Sequence, residues 1–512
     1  MLWPIVALFL LMLVVLALYD ITQRQHAILR NFPIIGHFRY WLEAVGPELR
    51  QYIVTGNDEE RPFSRDQRRW VYASAKQQNN YFGFGTDNDL EMRPNHLIIK
   101  HSAFPAQEPH KDDPAYDPTY AIPAAKVIGA HRGRAKAFRP NSVINVSAMS
   151  FGSLSWAAVE AINRGCEIAG CMQNTGEGGV SSHHLQGGEL IWQIGTGYFG
   201  CRDEQGNFSL AKLLARIEKT PQIRMIEIKL SQGAKPGIGG ILPSEKVTPE
   251  IAEIRGVPLG KDVISPNGHS AFHNVDSMLD FVEQIADATG LPVGIKSAVG
   301  EEQFWIDLAD QMASTKRGVD FITVDGGEGG TGAGPLVFSD HVALPFKLGF
   351  SRVYRIFAER NIQDTVIFIG SGKLGFPEAT LFAFGLGCDL VAVAREAMLA
   401  IGCIQAQRCH TGHCPTGVAT QTPWLVRGLD PTLKAARLAN YVMVLRKEVL
   451  RLCHACGVTH PALICPEHFA ILDDRYGAVG IQELFHYGAK FAVPSAAEAA
   501  AVAEIMAKRI AN

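Results

Sequence analysis

FITVDGGEGGTGAG, residues Phe321 to Gly334, changes character at a single point. Phe321 to Asp325 suits a buried strand, whereas Gly326 to Gly334 is mostly glycine, the residue of tight loops that let a ligand approach the backbone. The same grammar recurs along the chain. Short apolar runs, each ending in a polar or glycine-rich loop, alternate with helix-like stretches: VINVSAM (143–149), CMQNT (171–175), MIEIKL (225–230), DVISP (262–266), VGIKSAV (293–299), FITVD (321–325), VIFIG (366–370) and LVAVA (390–394). Eight strands with helical connections over about 250 residues predict an α/β fold of the (β/α)8 TIM-barrel type. An open doubly wound sheet is the rival, and the count of eight favours closure. In a barrel the loops after the strands carry the active site. The distinctive residues fall there: SFGS after the first run, NTGEGG after the second, SQGAKPGIGG after the third, GGEGGTGAG after the sixth and GSGKLG after the seventh.

Outward from the barrel, the 512 residues, 47% of them hydrophobic, allow a large core and more than one domain. A formal net charge of −3 carries no electrostatic footprint for nucleic acid. Leu2 to Tyr19 contains no charge and is long enough to cross a bilayer as a helix. Nothing basic precedes it and Ala17-Leu18-Tyr19 is a poor cleavage sequence, so an anchor is expected rather than a signal peptide. Arg24, Arg30 and Arg39 follow, which predicts a single-pass membrane protein with the catalytic domain on the cytoplasmic side. The expected organisation is a transmembrane anchor (1–19), an N-terminal wrapping segment (20–120), the barrel with its cysteine loop (121–425) and a C-terminal helical region (426–512).

Gly370-Ser371-Gly372-Lys373-Leu374-Gly375 follows a strand and fits GxGxxG. A dinucleotide site would need an acidic residue ending the next strand, and Asp389 precedes that strand instead. A mononucleotide phosphate held by backbone N–H groups fits better, because the loops after strands seven and eight are the usual phosphate cradle of a barrel. Lys296, inside an apolar strand, either snorkels out or faces something anionic at the barrel mouth. Gln232, Lys235 and Arg255 frame a loop whose two cations suit a dicarboxylate.

The ten cysteines of a cytoplasmic chain are not expected to form a disulfide framework. Cys166, Cys171, Cys201, Cys388 and Cys465 read as small core residues, and Cys453 and Cys456 as an isolated pair. Cys403, Cys409 and Cys414 are different, being spaced C-x5-C-x4-C and ending in Cys-Pro. Zinc usually takes four ligands, with His410 or His413 available as the fourth, and three cysteines ending in Cys-Pro also match iron–sulfur ligation. Spacing alone leaves both open.

Longer motifs add to this. MSFGS, QNTGEGG, EIKLSQGAKPGIGG, ISPNGHS, VDGGEGGTGAGPL and CIQAQRCHTGHCPTGVATQ, in order from about Pro123 to Gln421, resemble the synthase region of the glutamate synthase large subunit. The resemblance implies FMN at the strand ends and a 3Fe–4S cluster on Cys403, Cys409 and Cys414. It implies 2-oxoglutarate against the flavin, in a pocket lined by Glu177, Gln232, Lys235 and Arg255. Flavin contacts are implied at Met149, Ser150, Lys296, Gly326, Gly327, Gly330, Gly370, Gly372, Ala394 and Arg395. The reaction it implies is addition of ammonia to 2-oxoglutarate, loss of water, and hydride transfer from reduced FMN to 2-iminoglutarate, giving L-glutamate.

Several departures qualify the expectation. No glutaminase domain is expected, so ammonia would come free or from a separate glutaminase. No pyridine-nucleotide or FAD module is recognisable, so electrons would come from a separate reductase or ferredoxin. Ile241 and Val180 replace polar residues of the family pattern, and Ala394-Arg395 stands where the family tends to have Gly-Thr. Ile241 and the missing glutaminase motivate one alternative, an N-methylglutamate synthase-like or other imine-reducing FMN enzyme; a reading from another class is a membrane-tethered electron carrier or zinc scaffold without catalysis.

Overall fold

The computed structural model describes the chain except Met1, Arg24, Glu91, Met92, Pro114, Ala115, Tyr476 and residues 509–512. Arg24, one of the three arginines behind the expected membrane orientation, thus lies outside the described residues.

Eight parallel strands close on themselves: β1 (Ile144–Val146), β2 (Gln173–Asn174), β3 (Leu190–Ile194), β4 (Ile223–Lys229), β5 (Val293–Ser297), β6 (Phe321–Asp325), β7 (Ile367–Ser371) and β8 (Leu390–Val393). Closure comes from β8 pairing with β1, Val391 opposite Ile144. Helices cover the outside, so strands such as β3, β5, β6 and β7 are buried along their whole length and read as near-continuous apolar runs. Local chemistry sets the helix ends. The helix Trp156–Ala169 starts where Ser155 accepts from the Ala158 amide and stops at Gly170, φ +64°.

The count of eight holds, but one member differs. DVISP is not a barrel strand. Val263–Ile264 pairs antiparallel with Ile241–Leu242 in a two-stranded ribbon within the β4–β5 connection, where Ile264 is exposed. The third strand is Leu190–Ile194, LIWQI, wholly buried. A short apolar run cannot distinguish a barrel strand from a ribbon inside a long loop, because both present the same two or three apolar residues. SQGAKPGIGG therefore follows the fourth strand rather than the third. Asp389 lies at the opposite end of the barrel, accepting from the Phe368 amide at 2.9 Å and pairing with Lys126 at 3.1 Å.

The chain divides into two compact units, Met1–Arg68 and Arg69–Asn512. In the first, Leu2–Thr22 forms one helix whose apolar side chains, Trp3, Phe9 and Leu11 among them, are exposed. It is long and apolar enough to cross a membrane. Asp20, near its end, accepts from the Ile34 amide and pairs with His37 Nε2 at 2.9 Å, tying it to the helix Gly36–Leu49.

In the second unit the polar stretch after Arg69 and the C-terminal region pack with the barrel. Trp70 packs tilted against Phe376 and edge-to-face with Tyr441, and Leu97–Ile99 pairs with Phe469–Leu472. The C-terminal region is helical at Pro431–Ala455 and Ala496–Lys508 and adds the strands Phe469–Leu472 and Ala478–Gly480. The helix Pro431–Ala455 lies close against Trp156–Ala169 because Gly165 has no side chain; a Cβ there would stand 2.8 Å from the Ala435 carbonyl oxygen.

Candidate active site

Two lysines meet at the barrel mouth. Lys229 ends β4, Lys296 lies one residue before the end of β5, and the parallel register pairs them directly. Each is held by a carboxylate: Lys229 Nζ is 2.6 Å from Glu177 Oε1, and Lys296 Nζ is 3.6 Å from Asp325 Oδ2. Glu177 comes from the loop after β2 and Asp325 ends β6, so four strand ends converge.

The loop after β4 is laced to the loop after β6. Gln232 accepts from Lys229 Nζ at 3.2 Å and donates to the Gly330 carbonyl at 2.8 Å. The Gly233 amide donates to Asp325 Oδ2 at 2.8 Å, and Lys235 Nζ donates to the Ala333 carbonyl at 3.0 Å. Gly233 must be glycine, because a Cβ would fall on the Gly326 carbonyl oxygen. Arg255 is delivered by a short helix, Pro249–Arg255, capped by Thr248, begun by proline and ended by Gly256 at φ +64°. Its Nη2 donates to the Phe151 carbonyl at 3.1 Å and lies 3.4 Å from Ser150 Oγ, and its guanidinium sits 5.2 Å from the Phe199 ring centre. Its Nε is buried with no partner among the described residues.

These charges act on one another. Burial opposes ionisation of Glu177, but Lys229, then Lys235 and Arg255, outweigh it and hold the carboxyl below the usual carboxylate range. Burial, reinforced by Lys229 and opposed by Glu177, pushes Lys235 down to about 8. Burial against the pull of Glu177 pushes Arg255 down to about 10, still charged at neutral pH. Two buried cations and an orphaned guanidinium N–H facing one carboxylate suit a small anionic ligand.

Beside this array a cavity opens between the strand ends. It is lined by Lys296, Gly330, Gly372, Ala394 and Arg395 of the expected flavin set, together with Gln232 and Lys229. Gly372 has φ +129°, and a Cβ there would stand 3.1 Å from the Gly326 nitrogen, so the two loops leave a cradle that any side chain would crowd. Arg395 begins the helix Arg395–Ile401, packs over Gly330 and donates to the Glu328 carbonyl. A planar, phosphorylated cofactor such as FMN fits this wall of cations and bare backbone. Met149, Ser150, Gly326, Gly327 and Gly370 do not line the cavity. Gly370 is a packing glycine whose Cβ would meet Leu374 and Phe346, and Gly327 anchors its loop through the Leu344 carbonyl. Ser150 hydrogen-bonds Ser153, and the backbone of Met149 and Ser150 packs against Gly176.

Cys403, Cys409 and Cys414 follow the helix Arg395–Ile401 on one loop, Cys414 buried and the other two half-buried. Tyr72 donates to the Cys403 carbonyl at 2.8 Å. Burial, and secondarily Cys414, push the Cys409 thiol up, opposed by Lys246. Among the described residues no three His, Cys, Asp or Glu side chains converge on a single-ion site. His410 is exposed, and so is His413, which bonds the Thr411 carbonyl on its own loop. Three thiols on one loop are a soft donor set, of the kind that takes zinc or an iron–sulfur cluster. The thiols of Cys453 and Cys456 are buried.

Sequence reading overlooked Lys229, Asp325 and Gln193. Lys229 closes MIEIKL just as Lys296 punctuates VGIKSAV, a signal equally visible in both runs. Gln193, on the unrecognised third strand, lines the cavity and donates at 2.6 Å to Glu227, a buried carboxylate that also accepts from Asn174 and Thr323.

Comparison with known proteins bears on the same residues. A model of the conserved region in glutamate synthase matches residues 120–459. The glutamate synthase large subunit-like protein YerD of Bacillus subtilis (strain 168) is 37% identical over 91% of this chain and 94% of its own. An archaeal glutamate synthase [NADPH] of Methanocaldococcus jannaschii is 35% identical over 62% of this chain, which spans 59% of that relative's length. Among solved structures, a flavocytochrome b2 with sulfite bound aligns over 81% of this chain and 85% of its own, at 13% identity and a TM-score of 0.44. The family match covers the loops described above, from the strand-end lysines to the three cysteines, and the chain belongs to the glutamate synthase family of oxidoreductases.

Proposed function

We propose that the chain reductively aminates 2-oxoglutarate with ammonia to give L-glutamate, using FMN in the barrel mouth and a 3Fe–4S cluster on Cys403, Cys409 and Cys414. The observation that carries this reading is the buried array of Glu177, Lys229, Lys235 and Arg255 beside the cavity containing Lys296, Gly372 and Arg395. When bound, FMN supplies hydride and the cluster supplies electrons singly.

The protein's own groups do the rest. Arg255 and Lys235 hold the two carboxylates of the substrate, which turns the reaction into an oriented, effectively unimolecular step. Glu177 stays ionised and fixes Lys229, while Gln232 locks the substrate loop to the flavin loop through Gly330. Lys296 presents a positive charge to the flavin side, and Gly372 and Arg395 receive the phosphate. Electrons come from a separate reductase or ferredoxin, and ammonia comes free or from a separate glutaminase. The test is glutamate formation from 2-oxoglutarate and ammonium with a reduced dye or ferredoxin. Protein that holds flavin and iron yet forms no glutamate would refute the substrate.

A pH dependence follows from Lys235. With its ammonium at about 8 it is charged below that pH and neutral above it. Affinity for the dicarboxylate, read as kcat/KM, should fall above about pH 8, and Lys235→Arg should move that limb to higher pH. The same shift acts on stability with opposite sense. Folded Lys235 binds a proton less tightly than an unfolded lysine at 10.5, so its cost is full below pH 8 and is relieved as pH rises from about 8 towards 10.5.

The reading includes a membrane anchor formed by Leu2–Thr22, with the barrel on the cytoplasmic side; its length and exposed apolar surface support it. Full-length protein should partition with membranes, and a chain lacking residues 2–22 should be recovered soluble with its flavin absorbance intact. Equal partitioning of the two would remove the anchor.

A further inference from the structure

Lys246 belongs neither to the substrate array nor to the flavin cavity, yet it is 2% exposed, less than Lys235 or Lys296. It ends the short turn Ser244–Lys246, between the ribbon strand Ile241–Leu242 and the helix that delivers Arg255. Its Nζ donates to the Ser153 carbonyl at 3.0 Å and to the Cys409 carbonyl at 2.8 Å. No carboxylate pairs with it among the described residues. The residue whose carbonyl it holds, Cys409, is one of the three cysteines of the loop after the helix Arg395–Ile401. A buried ammonium satisfied by two neutral carbonyls is costly unless a counter-charge lies close by. The cysteine loop supplies that counter-charge when its thiols are ligands.

We propose that Lys246 is the counter-cation of the iron–sulfur loop, held by the Ser153 and Cys409 carbonyls where its charge raises the reduction potential of the cluster. The proposal rests on the reading that Cys403, Cys409 and Cys414 carry the cluster. The physics is Coulombic. One-electron reduction adds negative charge to the centre, so a fixed cation nearby favours the reduced form, and a dry surrounding strengthens the effect. The cation is fixed because its platform is fixed: Gln421 donates to the Gly152 and Leu154 carbonyls, and Arg255 donates to the Phe151 carbonyl of the same loop. Lys246 thereby joins the segment that presents Arg255 to the segment where electrons enter.

The test is potentiometric titration of full-length protein, following the cluster by EPR and the flavin by absorbance. Lys246→Gln keeps a hydrogen-bond donor and removes the charge, Lys246→Met removes both, and Lys246→Arg keeps both. The expected result is a lower cluster midpoint in the Gln and Met variants, a near wild-type midpoint in the Arg variant, and an unmoved flavin midpoint in all three. Loss of iron from both neutral variants, with iron kept by Lys246→Arg and flavin kept by all, would also support a required counter-cation. A cluster midpoint unchanged in Lys246→Gln, or one lowered equally in Lys246→Arg, overturns the proposal, as does loss of iron from all three variants. Wild-type protein with flavin but without iron would instead refute the reading of the cysteine loop, and the proposal with it. An iron assay on the wild type separates that case from the others.

Discussion

Arg255→Lys is expected to lower kcat/KM for 2-oxoglutarate by about 10²–10³-fold, or about 3–4 kcal/mol of transition-state stabilisation. The loss is geometric, because lysine keeps the positive charge that Glu177 faces and gives up the planar fork. Arg255 anchors to the Phe151 carbonyl through Nη2 and leaves Nε–H buried and unpartnered, so the guanidinium is held in place with a donor still to spend. An ammonium on a flexible stem cannot do both. Arg255→Met should cost more, since Arg255 is one of the cations that keeps the Glu177 carboxyl low, and its removal lets that carboxyl rise. Flavin absorbance should persist in both variants, because Arg255 does not line the cavity. Steady-state kinetics with flavin content measured on the same samples decide it, and an unchanged kcat/KM in Arg255→Lys would remove Arg255 from the substrate site.

Cys414→Ser is expected to abolish iron binding and to reduce donor-linked turnover by at least about 100-fold, beyond the roughly 10–100-fold that changing an outer partner of a metal ligand costs. Cys414 is the buried member of the three cysteines, and serine is nearly its size, so the fold should stand while the soft thiolate is lost. The flavin spectrum should remain, and a dye that reduces the flavin directly should recover turnover. Wild-type iron content in Cys414→Ser would show that the loop holds no cluster through this residue.

The barrel was legible because burial on both faces writes itself into composition. β5 to β8 are apolar almost throughout and end where the loops become polar or glycine-rich, so VGIKSAV, FITVD, VIFIG and LVAVA predict strands close to those observed. The third strand was harder. LIWQI carries a tryptophan and a glutamine, and its glutamine faces a buried carboxylate rather than solvent. DVISP has as strong an apolar pattern but pairs only with Ile241–Leu242. Which run enters the barrel is decided by partners distant in sequence, and periodicity does not report partners.

The site divides in the same way. Gln232, Lys235 and Arg255 were visible as polar residues framing a loop after an apolar run, Lys296 as a lysine inside one, and Glu177 through the family resemblance; the structure gathers them at the mouth. Met149, Ser150 and Gly370 were named with the flavin set through the resemblance; their neighbours Ala148 and Ser371 line the cavity, and Gly370 packs against Leu374 and Phe346. Lys229 and Lys246 were passed over because a lysine in sequence has no visible counter-charge.

Sequence by itself determined the eight-strand α/β class, the apolar N-terminal helix, the three-cysteine loop and the family, because each depends on local composition or on long contiguous motifs. Tertiary structure alone decided that Lys229 pairs with Glu177 and Lys296 with Asp325, that Gly233 must clear the Gly326 carbonyl, and that Lys246 reaches Cys409 across 163 residues of chain. Charge pairing and close backbone approach are properties of distance in space, and closure of the barrel is what brings those residues together.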